Sequence, residues 1–168
     1  MFEVNGNLED PIDGLGNYQL FFSTIKKVWN YFEEYIENDV MNSIDILVDN
    51  ATEGSGYTPI ITPTLKKFLI IKLHIYPTNK EDKIAYQFAH ELMHFVFYTK
   101  YGLGKKRADA LEESICTAAS LVVLYDWNRE YFNKYNEHVI RLENKGYRTG
   151  AEVAEKVNYK FEELLKMI

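Results

Sequence analysis

KKFLIIKLHIYPTNKEDKIAYQFAHELMHFVFYTKYG, residues 66–102, changes its hydrophobic period halfway along, and that change decides the fold. Up to Tyr76 the period is two. Leu69, Ile71, Leu73 and Ile75 fall on one side and Ile70, Lys72 and His74 on the other, as in a strand with one core face and one partly wet face. Pro77 stops it. Thr78-Asn79-Lys80-Glu81 then has the form of a capping box, in which a hydroxyl and a carboxylate satisfy free amides at a helix start. Beyond it Ile84, Phe88, Leu92, Phe95 and Val96 recur at three and four, which predicts a helix from about Asn79 to Lys100, ending near Gly102. His90 and His94 lie off that stripe, with Tyr86 and Tyr98 as neighbours.

Upstream, turn formers crowd residues 5–17 and predict an irregular entry. Phe21, Ile25, Val28, Phe32 and Ile36 then mark a helix from about Tyr18 to Asn38. SIDILVD alternates like a short strand, ATEGSGY supplies a glycine turn, and Pro59 and Pro63 confine YTPIITPT to an edge or an extended loop. Downstream of the loop GLGKKR, residues 108–126 read as a helix apolar on most of its circumference. A further helix is expected from about Asn128 to Asn144, stopped by Gly146. A second capping box, Thr149-Gly150-Ala151-Glu152, opens the last. The expected class is α+β in a single domain over 1–168, with a small sheet in the first half packed on a helical bundle.

Composition narrows the function classes. With 168 residues, 46% hydrophobic and 15% aromatic, the chain can bury one sizeable core. A net charge of −6 and a pI near 5.3 give no basic field, which argues against nucleic acid as a partner. The basic run Lys105-Lys106-Arg107 reads as a solvated loop. The acidic start MFEVNGNLEDPIDG has no secretory-signal pattern, and no window approaches the roughly 20 apolar residues of a membrane span. A lone cysteine, Cys116, suits a reducing compartment and reads as a buried small hydrophobe. The expectation is a soluble, cytoplasmic protein.

The chemistry sits in the long helix of the opening stretch. Residues four apart project from one helix face, so His90 and His94 can aim imidazole nitrogens at a single point, as Zn²⁺ coordination requires. Glu91 is rotated about 100° from His90, beside the site, where it can reach a metal-bound water. Two ligands and one base are the content of H-E-x-x-H. Zinc needs a third protein ligand. His74 reads as an outward strand residue and His138 as a solvated helix residue. Glu112 and Glu113 are better placed, because they begin a second buried helix in which an unpaired charge would be expensive. Periodicity leans weakly to Glu112.

His90-Glu91-Leu92-Met93-His94, followed after 18 intervening residues by Glu113-Ser114-Ile115-Cys116-Thr117, resembles the gluzincin pattern of thermolysin-like metallopeptidases. ESICTAASL is also similar to a set of small bacterial HExxH proteins, and more loosely to ImmA-like peptidases. The likeness covers about residues 68–125. It implies a zincin-like fold, zinc held by His90, His94 and Glu113, and Glu91 as the general base in hydrolysis of a peptide or protein substrate through a zinc-bound water. It also implies that FLIIKLHIY is the edge strand on which substrate lies, although the residues fit an interior strand equally well. Thr117 stands where those enzymes have an aspartate that orients the first histidine. Tyr147 and His138 are downstream candidates for an oxyanion donor, with nothing to choose between them. The alternative is a zincin-like module that binds or regulates without catalysis.

Overall fold

The computed structural model describes residues 2–4, 15–50, 59–65, 67–75, 80–105 and 108–168. Strands β1 (Phe2–Val4), β2 (Asp45–Asn50), β3 (Ile60–Thr64) and β4 (Phe68–Leu73) form one mixed sheet in the order β1-β2-β4-β3. β2 is parallel to β1 and to β4, pairing Ile46 with Leu69 and Val48 with Ile71. β3 is antiparallel to β4, with Ile61 opposite Ile71. The period-two side, Leu69, Ile71, Leu73 and Ile75, is buried as expected. β1 is an addition, since the sequence reading placed no strand there.

The edge assignment implied by the resemblance is corrected. β4 is an interior strand paired by β2 and β3, and β3 is the edge. The physical reason lies in backbone donors. β4 has no proline and can bond on both sides, whereas Pro63 within β3 lacks an N–H and is tolerated only at an edge.

Seven helices are described: α1 (Leu15–Glu33), α2 (Asn38–Met41), α3 (Glu81–Tyr101), α4 (Ala110–Trp127), α5 (Arg129–Ile140), α6 (Lys145–Lys156) and α7 (Phe161–Leu165). The predicted stripe of α1 is buried along its length. α1 stops at Glu33, short of Asn38, because Tyr35 and Ile36 both donate to the Phe32 carbonyl and tighten the last turn. α3 begins at Glu81, with Lys80 at the cap making no side-chain bond. Thr78 and Asn79 of the predicted capping box lie outside the described residues, as do 5–14, the 51–58 turn, Lys106 and Arg107. α4 is capped by Asp109, whose carboxylate accepts from the amides of Leu111 and Glu112, each at 2.9 Å.

Two expectations about the last helices are overturned. α5 ends at Ile140, and Gly146 does not stop it; the Asn144 side chain instead accepts the Gly146 amide at 2.9 Å and caps α6. The predicted capping box at Thr149–Glu152 therefore lies inside α6. Its glycine serves packing, since a Cβ on Gly150 would stand 2.5 Å from Thr117 Cβ on α4. α6 lies that close along α4.

Sheet and helices share one buried cluster running from Phe21 and Ile25 of α1 through β2 and β4 to Phe161 and Leu164 of α7. α3 crosses it and is enclosed almost all round, so its polar residues sit inside the protein. Among the described residues, no helix is long and apolar enough to cross a membrane.

Candidate metal centre

α3 stacks His90 over His94 one turn apart, with ring centroids 4.9 Å from each other. α4 crosses beside them and delivers Glu113. His90 Nε2 lies 3.3 Å from His94 Nε2 and 3.3 Å from Glu113 Oε2, which is 3.7 Å from His94 Nε2. A triangle with those sides has a circumscribed radius of about 2.0 Å, the distance at which zinc takes nitrogen and carboxylate ligands. The three residues form a group able to hold a metal ion. Glu113 Oε2 is in addition buried without a well-formed hydrogen bond, an orphan that a cation would satisfy.

In the metal-free site the imidazoles and carboxylates shift one another's titration. Burial lowers the pKa of His90 against the partial opposition of Glu113. Burial would also lower that of His94, but Cys116, Glu112 and Glu113 around the ring outweigh it and raise it. The two imidazoles hold Glu113 far below the carboxylate range, although burial acts in the other direction. Glu113 is thus an anion at any pH near neutrality.

The Glu112–Glu113 alternative resolves into two places. Glu113 meets the imidazole Nε2 atoms, while Glu112 stands behind His94, with Oε1 2.7 Å from Nδ1. Lys105 Nζ donates to both oxygens of Glu112 at 2.8 and 2.9 Å and lies 4.5 Å above the Tyr98 ring. The lean toward Glu112 registered burial, since Glu112 is 8% exposed and Glu113 less enclosed. Lys105 itself corrects the reading of its basic run as solvated: its side chain is 9% exposed.

Glu91 is 3% exposed, and burial pushes its carboxyl up to about 8. The adjacent Glu113 charge adds to the shift; His94 and a hydrogen bond from the Ile61 amide oppose it. Through that amide the edge strand β3 touches the acid. Tyr147, on the first turn of α6, lies with its ring centroid 5.6 Å from that of His90. Burial and the Glu113 carboxylate, to which its hydroxyl bonds, push it up to about 12.

His90 and Glu91 line a cavity of about 990 Å³ whose walls include Tyr86, Tyr135, Tyr147 and His138. Tyr86 and Tyr135 stack with centroids 4.5 Å apart. Both oxyanion candidates therefore face this cavity, and only Tyr147 is also in contact with a member of the triad. His74 stays apart, its backbone exchanging hydrogen bonds of 2.8 and 3.2 Å with the Gln87 side chain. Cys116 is fully buried, and burial pushes its thiol up to about 12. Thr117 takes no orienting role: its hydroxyl is buried without a partner.

In the sequence Tyr147 is one of two undecided oxyanion candidates, and Lys105 belongs to a run expected to solvate a loop. Asn144, two residues before Gly146, carried the missing signal for Tyr147, because an Asn cap there opens a helix and fixes the direction of its first turn. Lys105 carried no such signal, since its partner lies on another element. No protein-family profile matches the chain, nor does any curated protein or solved structure.

Proposed function

We propose that the protein is a zinc-dependent peptidase with a zincin-like fold, its metal held by His90, His94 and Glu113, acting on a peptide or protein substrate in the cytoplasm. One observation carries the reading: two imidazole Nε2 atoms and a buried carboxylate oxygen converge at metal-ligand spacing beside a second buried carboxylate, on the wall of a large cavity. A bound zinc ion would supply polarisation of a scissile carbonyl and acidification of a water.

The chain's own groups divide the remaining work. Glu91, buried beside the ligands on the cavity wall, takes the proton of the attacking water and delivers it to the departing amine. Tyr147 presents a hydroxyl, protonated throughout the neutral range, to the same space and donates to the oxyanion as it develops. The outer edge of β3, which meets Glu91 at Ile61, offers main-chain groups to which an extended substrate can add.

Zinc content measured on purified protein, followed by digestion of unstructured proteins with wild type and Glu91→Gln, tests the proposal. Stoichiometric zinc and cleavage that Glu91→Gln abolishes are expected. Stoichiometric zinc without any Glu91-dependent cleavage would assign the chain to a binding or regulatory module instead. Absence of tight zinc binding would remove the metal centre altogether.

A further inference from the structure

We propose that Glu112 and Lys105 act as a positioning pair for the metal centre, fixing the tautomer and ring direction of His94 from behind. The inference rests on the metal-centre reading above and adds two residues to it. An ionised carboxylate can only accept, so in its contact of 2.7 Å with Glu112 Oε1 the Nδ1 atom of His94 must donate. In the neutral ring that assignment leaves the lone pair on Nε2, the atom that faces His90 and Glu113. The carboxylate thus selects the metal-binding tautomer.

Glu112 cannot swing away. Lys105 grips both of its oxygens, and Lys105 is itself held against the Tyr98 ring. Its ammonium also balances the Glu112 charge, so the carboxylate orients the ring without adding a net negative charge to the site. The arrangement joins three elements: α3 through His94, α4 through Glu112 and the α3–α4 loop through Lys105. It differs from the aspartate one turn beyond the ligand glutamate in thermolysin-like enzymes. The orienting acid here is the immediate neighbour of Glu113 and serves the second histidine, while the position one turn on is Thr117, whose buried hydroxyl has no partner.

The test uses full-length protein, zinc affinity by chelator competition, and the visible absorption of the cobalt-substituted form. That absorption reports ligand geometry and does not respond to fold stability alone. Glu112→Ala is expected to weaken zinc by about 10–100-fold and to alter the cobalt spectrum. Glu112→Gln keeps an acceptor for Nδ1 and should restore the spectrum, with affinity within about 10-fold of wild type. Lys105→Met, which leaves every ligand in place, should fall between them. Wild-type affinity and spectrum in Glu112→Ala would overturn the positioning role while leaving the metal centre standing. If Glu112→Ala does not fold, the decision passes to Lys105→Met, in which an unchanged spectrum and affinity would overturn the pair. Wild type that fails to take up zinc would overturn the metal centre and the pair with it.

Discussion

Gly150→Ala tests the close approach of α6 to α4, on which the position of Tyr147 relative to Glu113 depends. A Cβ at Gly150 would lie 2.5 Å from Thr117 Cβ, 2.6 Å from Thr117 Cγ2 and 3.0 Å from the Ser114 carbonyl oxygen. Carbon atoms in contact prefer about 3.5–4.0 Å, so the helices must separate by roughly 1 Å. Rotamer change cannot relieve this, because a Cβ and a carbonyl oxygen move only with the backbone. Overpacking costs about 1–3 kcal/mol, and a 2.5 Å approach to atoms that move only with the backbone belongs in the upper part of that range, about 2–3 kcal/mol, of which alanine recovers about 1 kcal/mol in helix propensity. A net loss of roughly 1–2 kcal/mol corresponds to a melting temperature lower by about 2–8 °C.

The assay is thermal unfolding followed by circular dichroism, with two other glycines as a graded comparison. At Gly146 a Cβ would meet Glu113 Cβ and Asn144 Oδ1 at 3.3 Å, so a smaller loss is expected. At Gly104 nothing lies within 4 Å, and alanine there should be neutral or better. Gly150→Ala melting at or above wild type would show that α6 and α4 can part without cost. So would full rescue by Thr117→Ala, since that change leaves the Cβ at 2.5 Å untouched.

Three further outcomes follow from the same geometry. Thr117→Val removes a buried hydroxyl that has no partner and keeps the shape, so chemical denaturation should find the variant more stable by about 1 kcal/mol; a loss would mean that the hydroxyl is bonded. Tyr147→Phe should lower kcat by about 100–1,000-fold on any substrate found, with zinc content and KM little changed, and an unchanged kcat would withdraw the oxyanion role. The third concerns pH in the metal-free protein. Burial raises Glu91 from 4.5 to about 8, so its contribution to stability is fully present below 4.5 and is lost as pH rises through 8. The stability difference between Glu91→Gln and wild type should therefore grow in favour of the variant over that interval, by on the order of 1 kcal/mol per pH unit at most. A difference independent of pH would contradict the burial of a titrating Glu91.

What the sequence carried was whatever a single element encodes within itself. The alternation of Leu69, Ile71, Leu73 and Ile75 and the three-four spacing of Ile84, Phe88, Leu92 and Phe95 each report one face of one element, and both faces are buried. His90 and His94 were legible for the same reason. What failed depended on neighbours. FLIIKLHIY reads alike as edge or interior, and the decision came from Pro63 on the partner strand. Thr149–Glu152 has the residues of a capping box, but the Asn144 cap lies earlier, and Gly150 is required by a helix packed across it. The choice between Glu112 and Glu113 turned on the crossing of α3 and α4, which no period within either helix contains.

That crossing also separates two kinds of buried polar group. Asp82 on α3 is ion-paired with Lys134, and Gln87 exchanges hydrogen bonds with the backbone of His74. The back of His94 is met by Glu112, and Glu112 by Lys105. Each of these burials is compensated by the protein itself, as buried polar groups ordinarily are. The inward atoms are treated differently. The two Nε2 atoms meet each other at 3.3 Å, beside them Glu113 Oε2 has no well-formed hydrogen bond, and the Ile61 amide meets the enclosed Glu91 carboxyl. Leaving a buried carboxylate oxygen orphaned lowers stability by about 1–3 kcal/mol. Thr117 Oγ1, one turn along α4, is orphaned as well, so what sets Glu113 apart is its negative charge set against two imidazole nitrogens, where a cation would be compensated. That convergence of two imidazoles and an orphaned carboxylate, more than the order of letters in HELMH, is what supports the proposal of a divalent cation.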